Sequence, residues 1–148
     1  MAWIELKPEG AGPIRAWRAD PAGKPRGGIV VVQEIFGVNA HIRAVTDRFA
    51  GEGYLAVAPA IFEHAEPKFE VGYDAQSRER GMAIAGKIDR EQVLRDVAAA
   101  IEVARQGGKV AVVGFCLGGT IAWAAAGNFR ASAQPLAITA AGSSGLRT

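Results

Sequence analysis

With 148 residues, 49% of them hydrophobic, the chain has the length for one domain and the apolar side chains for a core. Its 17 basic and 15 acidic residues nearly balance, and no basic run or aromatic-interleaved patch points to a nucleic-acid partner. Gly, Pro or a charge interrupts every apolar stretch short of a bilayer span, so no membrane helix is expected.

In chain order, residues 3–6 and 14–18 read as short strands around a Pro8-Glu9-Gly10 turn, an antiparallel hairpin at a sheet edge. Residues 20–27 are loop by composition. Residues 28–33, GIVVVQ, form a buried strand that runs into Glu34-Ile35-Phe36-Gly37-Val38-Asn39. Ile42, Val45, Phe49 and Ala50 then keep helical spacing until Gly53 stops them. Residues 54–59, YLAVAP, make a third buried strand, and residues 60–73 are irregular. Helices are expected over 74–87 and 90–105, the second with a stripe of Val93, Val97, Ile101 and Ala104 that ends at Gly107-Gly108. Strands alternating with helices imply a parallel sheet with right-handed crossovers.

The stretch from Lys109 to Ala126, KVAVVGFCLGGTIAWAAA, carries the chemistry. Its valine-rich start suits a strand buried on both faces. Gly114-Phe115-Cys116-Leu117-Gly118-Gly119 follows, then the small apolar residues of a helix. Strand, Gly-x-nucleophile-x-Gly, helix is the layout of a nucleophile elbow, with cysteine where serine is usual. Side chains at Gly114 and Gly118 would collide with neighbouring backbone in so tight a turn. The partial positive charge of the first helical amides favours thiolate over thiol at Cys116. The plainer reading of a lone cysteine is a small buried hydrophobe. One cysteine cannot form an internal disulfide, and residues 1–10 lack a signal-peptide layout, so a cytoplasmic location is expected. One Cys and two His far apart give no zinc spacing, and neither metal nor cofactor is expected.

GFCLGG after one buried strand and QEIFGVN at residues 33–39 after an earlier one together resemble the dienelactone hydrolase family. That family is a cysteine branch of the α/β-hydrolase fold that opens the lactone ring of carboxymethylenebutenolides. The resemblance runs over residues 13–126 and rests on the pairing, since a lone Gly-x-Cys-x-Gly is weak evidence. It implies the N-terminal portion of an α/β-hydrolase fold: a mostly parallel sheet with flanking helices, the C-terminal strands and helices missing. It further implies that Cys116 attacks the lactone carbonyl while the backbone amides of Ile35 and Leu117 form the oxyanion hole. Glu34 would hold the resting thiol by a hydrogen bond and release it when substrate arrives. Arg78 would bind a substrate carboxylate, so the implied partner is a small-molecule ester or lactone bearing one. General chemistry suits these roles. A positioned donor is worth about 3 kcal/mol on a developing oxyanion, and a guanidinium fork makes two parallel bonds to a carboxylate.

Plainer readings stand beside these. Glu34 could be an ordinary carboxylate at a strand end, and Arg78 an exposed helix arginine. His41 and His64 read as loop or surface residues, because both precede the nucleophile whereas this fold's histidine follows it. The family triad runs Cys, Asp, His in chain order, yet residues 117–148 contain no Asp, Glu or His. The triad therefore cannot be completed within this chain. Residues 128–148 show no helical stripe, and only 136–139 could pass as a strand. Suitably chosen codons for residues 128–143, read from their third nucleotide, give Leu-Pro-Gly-Leu-Gly-Ala-Ala-Ala-Gly-Tyr-Tyr-Gly-Gly-Gly-Ile, which resembles the family sequence after this helix. The expected division is a partial domain at 1–127 and a frameshifted tail at 128–148. Two functions follow: an ester or lactone hydrolase with little or no turnover in this chain, or a non-catalytic remnant that binds a partner. A redox-sensing thiol ranks last for want of a resolving cysteine.

Overall fold

The structure is a computed structural model that describes residues 1–115, 117–129 and 136–141. β1 (Ala2–Leu6) and β2 (Ile14–Ala19) form the antiparallel hairpin, with Trp3 opposite Trp17 and Leu6 opposite Ile14. β3 (Gly28–Val32), β4 (Leu55–Pro59) and β5 (Val110–Phe115) are the apolar runs, and β6 is Leu136–Ala141. The sheet has six strands in the order β1-β2-β4-β3-β5-β6. β2 pairs antiparallel with β4, and all pairings from β4 to β6 are parallel. β5 outlasts its valine run by two residues because Gly114 stays in the ladder opposite Val32, and Phe115 opposite Ala141. β6 likewise runs two residues beyond the expected 136–139. Gln33, expected in the strand at 28–33, falls outside β3.

α1 (Ala40–Gly51) is capped by Asn39, whose Oδ1 accepts from the amide of Ile42 at 3.1 Å. α2 (Ala75–Ala85) starts at Asp74, which accepts from the amide of Ser77 at 2.8 Å. That bond holds the Asp74 carboxyl below its ordinary range. α3 (Arg90–Ala104) is capped by Asp89, and α4 spans Leu117–Phe129. Alternation sends successive strand residues to opposite sheet faces. Val30, Val32 and Val57 pack with the expected α3 stripe of Val93, Val97, Ile101 and Ala104. Ile29 and Val31 pack with Ile42 and Val45 of α1. With both faces covered, β3 and β4 are buried at every residue, and each such Val or Ile contributes about 2 kcal/mol of transfer free energy. The parallel strands β3, β4 and β5 all end at one sheet edge, the edge at which such sheets place their sites. No helix among the described residues is long and apolar enough to cross a membrane.

Candidate active site

A single residue, Cys116, separates the last residue of β5 from the first of α4. Cys116 itself lies outside the described residues; the glycines on either side of it are described. A Cβ on Gly114 would overlap the carbonyl of Gly118, and a Cβ on Gly118 would overlap that of Val32. Both neighbours are backbone and cannot swing aside, so the chain needs glycine at both positions. The contact of Gly118 with the carbonyls of Val32 and Gln33 seats the start of α4 against the end of β3. Leu117, half-buried, is the first residue of that helix.

The chain leaves β3 through a tight turn at 34–37. The amide of Gly37 donates to the Glu34 carbonyl at 3.4 Å, and Gly37 has φ +82. Two devices fix this turn. From beneath, the buried Gln33 accepts from the amide of Ile61 at 3.1 Å and donates to the Glu34 carbonyl at 2.9 Å. From the side, Gly37 bridges Glu70 and the amide of Val71 donates to the Phe36 carbonyl at 3.1 Å. α2 closes in as well: Gly81 lies so near Ile35 that a Cβ would overlap the Ile35 carbonyl. The Glu34 side chain is half-buried and accepts from the Tyr73 hydroxyl at 3.1 Å.

Glu34, Ile35 and Leu117 thus gather where β3 and β5 end. Arg78 stands apart on the exposed side of α2, three residues before Gly81. Beside Leu117 opens a cleft of 230 Å³ lined by Ala85, Ile88, Leu94 and Ile121, with Arg90 also on its wall. Such a cleft can take the apolar part of a small ligand. Among the described residues, no three His, Cys, Asp or Glu come together as a metal-holding group.

The dienelactone hydrolase family model matches residues 14–138. This chain belongs to that family. Carboxymethylenebutenolidase 1 of Cupriavidus pinatubonensis is 33% identical over 125 residues, which make up 81% of this chain and 53% of that protein. A dienelactone hydrolase candidate from Klebsiella pneumoniae has a crystal structure that matches with TM-score 0.70 and 33% identity, over 84% of this chain and 53% of its own. A dienelactone hydrolase-like promiscuous phosphotriesterase from metagenomic libraries matches with TM-score 0.69 and 29% identity, over 95% and 58%. The fold is that of the α/β hydrolases, and the chain spans about half the length of the curated relatives it matches.

Sequence reasoning about this dienelactone hydrolase family member missed four polar residues that organise the site and its surroundings. Gln33 and Asn39 bracket the QEIFGVN motif; Gln33 is buried as expected of residues 28–33, but the bonds that these two amides make were not legible there. Tyr73 had no local signal. Asp96 had one: it lies three residues after Val93 and four before Ala100, on the buried face of α3. His64, read as a loop or surface residue, does lie in the 60–73 segment, but it is tied to that carboxylate. His64 Nε2 and Asp96 Oδ1 are 2.9 Å apart, and Gln92 Nε2 donates to the same oxygen at 3.0 Å. Asp96 Oδ2 has no partner among the described residues.

Burial pushes the Asp96 carboxyl above its ordinary value of 3.8, against the opposing pull of His64 and Gln92. A carboxyl raised on folding stabilises the fold fully below its unfolded pKa and loses that contribution as pH rises through the folded one. Asp96→Asn is therefore expected to gain stability relative to the parent as pH rises from about 4 to about 7. Melting temperatures of the two proteins across that range measure it. Two curves that stay parallel would contradict the assignment.

Proposed function

We propose that this chain carries the nucleophile of a dienelactone hydrolase-like carboxylic ester or lactone hydrolase. What supports the reading most is the one-residue link between β5 and α4, pressed by Gly118 against the end of β3. In this proposal the Cys116 thiolate attacks the substrate carbonyl carbon. The carbonyl π electrons move onto oxygen, held there by the amides of Ile35 and Leu117. Collapse expels the ester oxygen, which takes up a proton, and leaves a thioester on Cys116. Glu34 restrains the resting thiol. Arg78 takes the substrate carboxylate, and the cleft beside Leu117 takes its apolar part. Water must then clear the thioester, and residues 117–148 supply no Asp or His to activate it. Acylation without sustained turnover is the expected behaviour of this chain. The reducing conditions that a free catalytic thiol needs suit the cytoplasm.

A nitrophenyl ester tests this. The parent should release a stoichiometric burst of nitrophenol followed by a nearly flat line, and Cys116→Ala should release none. A burst that persists in Cys116→Ala removes the nucleophile assignment. One observation favours the alternative of a non-catalytic binding remnant: Trp123 on α4 is 74% exposed. Absence of a burst in the parent, with the chain folded, selects it. We also propose the division at 127, with 128–148 frameshifted. The underlying nucleotide sequence decides it, because stops in the shifted frame before any Asp and His in family context would refute the shift.

A further inference from the structure

We propose that Tyr73 is a positioning residue that sets the resting orientation of Glu34, and that Asn39 holds Tyr73 for this task. The inference rests on the reading of Cys116 as nucleophile and Glu34 as its restraint.

The geometry is a short chain of bonds that starts at a helix cap. Asn39 is 6% exposed and uses both ends of its amide. Its Oδ1 caps α1 by accepting from the Ile42 amide at 3.1 Å. Its Nδ2 donates to the Val71 carbonyl at 3.1 Å and to the Tyr73 hydroxyl at 3.3 Å. Turning this amide to release Tyr73 would uncap α1, so the hydroxyl has a fixed donor at its back. The hydroxyl proton then points forward, to Glu34 Oε1 at 3.1 Å. The ring is fixed too, standing edge-on to Phe36 at 4.5 Å between centroids, inside the same 34–37 turn. His41 flanks it at 6.1 Å, and Glu70 at the same opening is neutralised by Arg43 at 2.9 Å. Although Tyr73 is 54% exposed, its partial desolvation, opposed by the bond from Asn39 and reinforced by Glu34, keeps the phenol above its ordinary pKa, so it stays protonated and donating at neutral pH.

Two effects on the site follow. A donor on Oε1 fixes the carboxylate plane and leaves the other oxygen to face its remaining neighbours. It also draws charge off a carboxylate whose negative field opposes ionisation of a nearby thiol. Without the donor, the resting thiol is held less ionised.

The full chain has one cysteine, so the rate of alkylation by iodoacetamide reports on Cys116 alone. Tyr73→Phe is expected to slow alkylation at neutral pH by about threefold. Glu34→Gln should speed it, and Tyr73→Phe added to Glu34→Gln should change nothing more. Melting temperatures confirm that each variant is folded. The inference is overturned if Glu34→Gln changes the rate while Tyr73→Phe does not, or if Tyr73→Phe slows both backgrounds equally, as a packing effect would. If Glu34→Gln is silent as well, Glu34 does not act on the thiol and the site reading fails together with the inference. The two failures are therefore told apart by the Glu34→Gln arm.

Discussion

Gly118→Ala is expected to destabilise the fold by about 3 kcal/mol, at the upper end of what an inserted methyl does in a packed core. The added Cβ would overlap the Val32 carbonyl and crowd that of Gln33. Neither is the flexible end of a side chain. Val32 ends β3 in the ladder opposite Gly114 of β5, and Gln33, the next residue, is tied down by its own side chain to Ile61 and Glu34, so neither can yield without breaking those bonds. Against a typical total of about 5–15 kcal/mol, such a loss leaves the chain close to unfolding at ambient temperature. Gly51→Ala provides the opposite sign. Gly51 ends α1 with open space where its Cβ would stand and no left-handed φ, so alanine there should stabilise by about 0.5 kcal/mol through lost backbone entropy in the unfolded chain. Urea unfolding midpoints measure both, and equal midpoints for Gly118→Ala and the parent would mean that the elbow is looser than described.

Gly81→Ala acts on function more than on stability. α2 lies on the 34–37 turn with the Gly81 Cα facing the Ile35 carbonyl, and a methyl group there must push helix and turn apart. The Ile35 amide belongs to the same turn, so the displacement moves the proposed oxyanion donor. Removing such a donor lowers acylation by about 100-fold. The burst rate with a nitrophenyl ester should fall by that order, while the unfolding midpoint shifts only modestly, because α2 buries little beyond Gly81 and Ile84. Met82→Ala is the control: Met82 neighbours Gly81 but is 59% exposed, and its loss should leave the burst unchanged. A folded Gly81→Ala variant with an unaltered burst would separate Ile35 from the oxyanion hole.

The contrast between these glycines shows what was legible locally. Gly114 and Gly118 announce themselves through spacing around a cysteine, after a strand and before a helix. Gly81 sits in a polar helix, SRERGMAIA, where nothing local distinguishes it from an ordinary weak helix position. Its importance comes from a carbonyl forty-six residues earlier in the chain. Arg78 was legible only through family resemblance, and its exposed position on α2 leaves its role with the proposed substrate rather than with any contact in the chain.

By itself, the sequence determined the elements, the family and the identity of the candidate nucleophile. Burial on both sheet faces demands continuous apolar runs, burial of one helix face demands a stripe, and a one-residue turn demands small neighbours; each constraint is local and so is written locally. Tertiary structure alone decided that Tyr73 meets Glu34 across thirty-nine positions, that His64 meets Asp96 across thirty-two, and that Gln33 ties Ile61 to the Glu34 turn. These bonds depend on where loops return after crossing the sheet edge, and no periodicity records the path of a loop.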